Sequence, residues 1–364
     1  MFNRRNLLIG AGAVVITGAG AAVLGVRQMG SKDTFAAAMS DLRAPLPASP
    51  APPDLIRFAT LAANSHNTQA WRFRVAGDTV AILPDMTRAT PVVDPDNHHM
   101  FISLGCAAEN LSVAAASRGM LGEVRFDPAT TEISFAPTAG AAAEIALSDA
   151  IPLRQSTRGL YDGSALTPAD LGLLASAARV TGVDLVLITD PAQMGQMSGL
   201  IAKGNTAQLN DPAFMAELKH WMRFNPRSAL AKGDGLFGAT SGNPSAPDWL
   251  GPKMVDWMFT ASDDNKKTAA KIASSAGMAV FVGATEDAAS WVQVGRACQR
   301  FALQATAMGL KHAFLNQPVE VANLRPDLAS LIGMPGRRPD LVMRFGRGAA
   351  LPFSARRPVE AVMA

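Results

Sequence analysis

Apolar residues at Leu55, Ile56, Phe58, Ala59, Leu61 and Ala62 recur at helical spacing, which predicts a helix opening the folded body near Asp54. Alternation then takes over, and residues 71–75 and 79–83, joined through Gly77-Asp78, predict a β-hairpin. Residues 101–120 form an apolar stretch of helical length, followed by short strands expected at 123–126 and 132–135. A second set begins with a helix at 168–178 and a strand at 184–188, then helices at 192–203 and 213–224. A buried strand at 278–282, a long helix at 291–309 and a last strand at 341–345 complete the pattern. Helices and strands alternate without one simple period, which points to an α+β or mixed α/β layering.

Two stretches interrupt this pattern. Residues 43–53 carry five prolines, which cannot continue a helix, so residues 31–53 read as a stiff extended linker. Residues 225–252 are rich in Gly, Pro, Ser and Asn, and so long an irregular insert is usually a lid or binding loop. Body boundaries follow at 54–150 for a first half and 151–364 for a second.

Composition changes the picture mainly at the N-terminus. Apolar residues reach 48% and charged residues only 17%, as expected of a well-buried fold. Arg4, Arg5, Arg27 and Lys32 all precede the first acid, Asp33; without those four the 33 basic residues fall to 29, against 30 acids. The body is therefore near neutral, and a nucleic-acid footprint is not indicated. Asn3-Arg4-Arg5-Asn6 leads into a Gly/Ala/Val-rich run from Leu7 to Val26, so residues 1–30 resemble a Tat export signal. An ordinary Sec signal or an N-terminal anchor helix is the alternative, since the run is long enough to remain in a membrane. The nearest small-residue cluster for cleavage is Ala36-Ala37-Ala38. A periplasmic location, soluble or anchored, is the expectation. Cys106 and Cys298 fall in apolar helical segments and read as buried thiols. The five histidines lack metal-ligand spacing, so no metal is expected.

The two long helices align with each other. Placing Phe101-Ile102-Ser103-Leu104-Gly105 over Trp291-Val292-Gln293-Val294-Gly295 matches Gly105 with Gly295, Ala107 with Ala297, Ala115 with Ala305 and Gly119 with Gly309. Gly105 and Gly295 would permit a close helix–helix approach, and Gly119 and Gly309 suit helix C-terminal caps. The alignment reads as an old duplication, two related halves in one chain, with coincidence between two core helices as the alternative.

Three polar stretches could carry chemistry. Ser65-His66-Asn67-Thr68-Gln69-Ala70-Trp71 gathers hydroxyls, carboxamides and rings suited to the polar edge of a flat heterocycle. Taken alone it reads as a helix cap followed by a strand opening at Trp71. Arg154-Gln155-Ser156-Thr157-Arg158 suits a phosphate, because guanidinium gives forked, charge-assisted bonds and hydroxyls add neutral donors. In an extended strand positions 154, 156 and 158 share one face. Ala355-Arg356-Arg357-Pro358 supplies a further basic pair.

Together these stretches resemble the FMN-dependent nitroreductase superfamily. Arg154, Ser156 and Arg158 match its Arg-x-Ser-x-(Arg/Lys) stretch. Ser65, Asn67, Gln69 and Trp71 match its Ser-x-Asn-x-Gln-Pro-Trp stretch, with Ala70 in place of Pro. Gly295, Ala297, Gly309 and Leu310 match a Gly-x-Ala helix ending in Gly-Leu, and residues 356–358 match a C-terminal Arg-x-Pro segment. The resemblance implies a nitroreductase-like α+β fold and an FMN cofactor. Arg154, Gln155, Ser156 and Arg356 would lie at the phosphate and ribityl chain, with Arg158 near the flavin N1–O2 edge. Ser65, Asn67 and Gln69 would approach from the other half. Asn316 and Gln317 fall where the family usually carries a Glu-Gly pair near N5.

The order of the stretches differs from an ordinary homodimeric member, so the chain resembles the two-halved Acg-like subfamily, an intramolecular pseudo-dimer and hence a single-chain monomer. No Arg-x-Ser-x-Arg stretch precedes Ser65, which implies one flavin site. The implied activity passes two electrons through flavin to a nitro- or quinone-type small-molecule acceptor. No acid–base side chain is required for that role. Export conflicts with a nicotinamide donor and favours a membrane or protein donor. The competing reading is a flavoprotein that sequesters FMN without turnover.

Overall fold

The computed structural model describes residues 29–364. The twin-arginine stretch and the apolar run up to Val26 lie outside the described residues. The first helix, α1 (Lys32–Leu42), is capped by Ser31, whose hydroxyl accepts from the amides of Asp33 and Thr34. Residues 31–53 are therefore not a plain linker. Phe35 and Met39, four residues apart, form an apolar stripe buried against Ala229, Phe237 and Ala355. The prolines begin only past the helix, and that extended stretch is fastened by Arg57, which donates to the carbonyls of Leu42 and Ala44.

Helix α2 (Pro52–Thr60) leads into the hairpin β1 (Trp71–Ala76) and β2 (Thr79–Pro84), then into helix α3 (His98–Ala116). Strands β3 (Met120–Leu121), β4 (Val124–Asp127), β5 (Glu132–Phe135) and β6 (Thr138–Ala139) follow. The first large sheet has the order β1-β2-β5-β4, antiparallel throughout. Helices α4 (Ile145–Ala150) and α5 (Pro168–Ala177) precede β7 (Val183–Ile188), α6 (Pro191–Leu209) and α7 (Pro212–Trp221). The Gly/Pro-rich insert is less irregular than its composition predicts. It holds α8 (Pro226–Lys232) and strand β9 (Leu236–Phe237), which pairs in parallel with β8 (Met222–Arg223).

Helices α9 (Gly251–Met258) and α10 (Ala261–Ala273) then lead to β10 (Gly277–Gly283) and the long helix α11 (Ala288–Ala307). The remaining elements are β11 (Lys311–Phe314), α12 (Gln317–Glu320), α13 (Arg325–Leu331), β12 (Leu341–Gly346) and α14 (Val359–Val362). The second sheet has the order β11-β12-β10-β7, again antiparallel throughout. The class is α+β, as the pattern predicts. Helix α10 gives little apolar signal because among its residues only Thr268 and Ile272 are buried.

The core is organised by α3 against α11. A Cβ on Gly105 would collide with the Val292 carbonyl, and a Cβ on Gly295 would collide with the Ile102 carbonyl. In the register that aligns the two helices, Ile102 corresponds to Val292 and Gly105 to Gly295. The contacts are therefore reciprocal, as in an isologous two-fold interface. Buried Glu109 of α3 accepts from Arg296 Nε and Arg300 Nη1 of α11, both at 2.8 Å, so its charge is paired. The C-terminus returns to the first sheet, where Met363 lies parallel to Phe73 and the Ala364 amide donates to the Phe73 carbonyl at 2.7 Å.

Gly105→Ala and Gly295→Ala should each destabilise the chain by at least about 1–3 kcal/mol, because a rigid backbone carbonyl fills the space a methyl needs. Gly172→Ala, in α5 with nothing near its Cβ position, should be neutral or stabilising. Urea unfolding midpoints check this, and unchanged midpoints for both core variants would contradict the close approach.

Candidate functional site

The loop between α2 and β1 carries the first set of candidate residues in an uncommon backbone conformation. His66, Asn67 and Gln69 have φ of 46°, 53° and 53°, a left-handed region that L side chains seldom adopt. Such a loop persists only when its surroundings over-determine it. The Ser65 amide donates to Ser103 Oγ at 3.1 Å, and the Gln69 amide to Asn64 Oδ1 at 2.9 Å. Asn67 Nδ2 donates to the carbonyls of Gly235 and Ala355, each at 3.0 Å. Gln69 Nε2 donates to the Gly233 carbonyl at 2.8 Å, while its Oε1 accepts from the Arg357 amide at 2.9 Å. Asn67 and Gln69 thus clamp the 225–252 insert and the C-terminal segment to the loop.

Beside that clamp lies an open cavity of about 330 Å³. Ser65, Arg158, Asn316 and Gln317, all predicted from sequence, line it. So do Leu236, Phe237 and Asn243 of the insert, which forms one of its walls. Arg158 also lines a second, smaller cleft of about 30 Å³ together with Arg154, Gln155, Ser156, Asn67 and Arg356. The 154–158 stretch is extended beside β11: Ser156 bridges His312, and the Thr157 amide donates to the His312 carbonyl. Arg344, buried over the Tyr161 ring, donates to the carbonyls of Thr157 and Gly159 and so fixes the end of that stretch.

The small cleft is a cluster of guanidinium groups. Arg154 is buried and donates from Nη2 to the Leu61 carbonyl at 2.9 Å, but its Nε and Nη1 are buried without a partner. Arg43, at the end of α1, also has a buried Nε without a partner. Among the described residues no carboxylate pairs with Arg43, Arg154 or Arg356. Burial and the neighbouring Arg154 push Arg43 down to about 9, and burial pushes Arg154 down to about 10. Buried cations with open donors and no opposing acid fit an anion with several acceptor oxygens.

Arg356 is different. Its Nε donates to Thr60, Nη1 to Asn67 Oδ1 and Ala355, and Nη2 to Leu61 and Ala62. These bonds cap the carbonyl end of α2, so Arg356 contributes charge and shape to the cleft while its donors are engaged. Gln155 also lines the cleft, with its Oε1 engaged in accepting from Thr157 Oγ1 and the Leu351 amide. Gln69 lines neither cavity. Asn316 Oδ1 accepts from the Val342 amide at 2.9 Å, whereas Gln317 Oε1 is buried without a partner.

Sequence reasoning missed a titratable group in the wall of the main cavity. His66, His99 and Glu320 line it, with His99 Nε2 3.5 Å from Glu320 Oε1 and Gln208 Nε2 donating to Glu320 Oε2 at 2.6 Å. Burial, then His99 and Arg158, push His66 down to about 4. Burial and His98 push His99 down to about 4, against the pull of Glu320. Burial raises the Glu320 carboxyl. Arg43 was equally hidden, because a single arginine beside a proline run carries no local signal. The cysteines are buried as expected, and Cys106 touches the main cavity. No group of residues suited to a metal ion occurs among the described residues.

The geometry is thus a cavity of about 330 Å³ that shares Arg158 with a small cleft rich in guanidinium groups, with walls drawn from both ends of the chain. No family model matches the chain. A putative NAD(P)H nitroreductase of Mycobacterium tuberculosis is 26% identical over 324 residues, which cover 85% of this chain and 90% of that protein. Another from the same organism, named acg, is 25% identical over 324 residues, covering 84% and 93%. The chain is similar to nitroreductases over most of its length. Among solved structures, a nitroreductase-like family protein from Bacillus cereus matches 60% of this chain and 94% of its own, with a TM-score of 0.37 and 14% identity. A nitroreductase with bound FMN from Bacteroides fragilis matches 56% and 88%, with a TM-score of 0.35 and 13% identity.

In this nitroreductase-like chain His66 and His99 should stay neutral throughout pH 5–8, since burial and positive neighbours penalise the imidazolium. NMR titration of the imidazole nitrogens, assigned with His66→Gln and His99→Gln variants, checks this. A midpoint near 6.5 for either ring would contradict the assigned burial.

Proposed function

We propose that this chain is an FMN-dependent oxidoreductase that delivers two electrons to a nitro- or quinone-type small molecule. The observation that carries the reading is Arg154, buried with Nε and Nη1 unpartnered in a small cleft that shares Ala63, Asn64, Arg158 and Leu236 with a cavity of about 330 Å³, which is in the size range of ligand pockets. Arg154, Ser156 and the cationic surroundings of Arg356 would hold the phosphate. Arg158, which lines both spaces, would face the polar edge of the ring, and Ser65 and Asn316 would border it. When bound, the flavin supplies the electron transfer at N5. The protein supplies position, exclusion of water by the 236–243 segment, and a positive charge at Arg158 that favours an anionic reduced ring.

The reciprocal glycine contacts support a second element of the proposal: residues 54–150 and 151–364 are fused, related halves, so that a single-chain monomer builds one site from both. The names of the mycobacterial relatives support a nicotinamide donor. The twin-arginine start supports export to the periplasm, where a membrane or protein donor would replace it.

Arg154→Ala should weaken FMN binding by about 1.5–3 kcal/mol, read by fluorescence titration, because a charge-assisted phosphate bond is lost. Unchanged affinity would sink the phosphate assignment. Anaerobic mixing with NADH, NADPH or a reduced quinone, followed by a nitroaromatic or quinone acceptor, tests turnover. Bleaching by one of these donors and rapid recovery of the oxidised spectrum with acceptor is the expected result, and a flavin that no donor reduces would contradict an oxidoreductase role.

A further inference from the structure

Helix α1 stands apart from the rest of the body in how it is held. It is 11 residues long, too short to be stable alone, and among its residues only Phe35 and Met39 are buried. Beside it runs an apolar cavity of about 860 Å³, lined by Phe35 and Met39 from the helix and by Leu153, Phe237 and Phe353 from the body. The side chains of Phe35 and Met39, Arg57 on the Leu42 carbonyl and Arg43 Nη2 on the Ser354 carbonyl at 3.5 Å tie the helix to the body, a small set of contacts for one element. At its C-terminal end Arg43 stacks 4.0 Å over the Phe353 ring and reaches the cleft that holds Arg154 and Arg356. Three guanidinium groups there repel one another, and Arg43 and Arg154 keep buried nitrogens without partners.

We propose that α1 is a ligand-dependent clamp: Arg43 completes the phosphate cradle, and a phosphate monoester in the cleft locks the helix onto the body. This inference rests on the FMN reading for the identity of the ligand, but its geometry needs only the phosphate. Without an anion the cationic repulsion works against docking of Arg43. With one, the same three charges converge on a shared partner. By linkage, a ligand that binds the docked form better stabilises that form by the same factor as docking strengthens binding. The helix follows directly on the twin-arginine segment, so loading of the cofactor would order the region next to the export signal.

Hydrogen exchange of peptides covering residues 32–43 in the full chain tests the clamp, with FMN, riboflavin and inorganic phosphate as separate probes. FMN should slow exchange of α1 by about fivefold or more, and riboflavin, which lacks the phosphate, should leave it unchanged. Arg43→Ala should weaken FMN binding about tenfold and leave riboflavin binding unchanged, and Arg43→Lys should recover part of the loss. FMN binding without any change in α1 exchange, or wild-type FMN affinity in Arg43→Ala, would overturn the clamp while leaving the cofactor reading intact. If neither flavin binds, the cofactor reading falls; slowing of α1 by inorganic phosphate would then still support the clamp, and no effect of phosphate would overturn it.

Discussion

The close approach of α3 and α11 at Gly105 and Gly295 is the constraint from which the site follows. Only a residue without a Cβ lets each helix meet a carbonyl of the other, and the approach sets the position of everything attached to the pair. Ser103 of α3 takes the Ser65 amide, and Gln299 of α11 takes the Ala63 amide, so both helices fix the strained loop. Arg154 in turn donates to Leu61 at the end of α2. A first-half loop and a second-half strand are thereby brought together around one cavity.

Charge is divided along that cavity. Arg43, Arg154 and Arg356 gather at the small cleft, while His99 and Glu320 line the larger cavity, and Arg158 borders both spaces. The polar groups of the loop mostly hold protein rather than ligand. Asn67, Gln69 and Arg356 use their donors on carbonyls of the insert, the C-terminal segment and α2, and so tie these segments together beside the cavity.

Much of the scaffold was legible because its signals are local. The hairpin at Trp71–Ala76 and Thr79–Pro84 and the two long helices follow from alternation and apolar length. The pairing of Gly105 with Gly295 was legible as an alignment, and its meaning became physical only when each glycine met the other helix. Helix α1 was hidden by the prolines that follow it, and Arg43 by distance: more than a hundred residues separate it from Arg154. The histidine wall was missed for a similar reason, since His99 and Glu320 are more than two hundred residues apart in sequence and meet only in the fold. Motif reading picked out segments that line the two spaces but could not separate the arginine with open donors, Arg154, from the one whose donors are engaged, Arg356.

The most direct test of a single ligand site shared by both halves is the visible spectrum of the purified chain, with its FMN content measured per polypeptide. The account predicts a yellow monomer carrying about one FMN per chain. A colourless protein that refuses added FMN, or one that binds two, would contradict it.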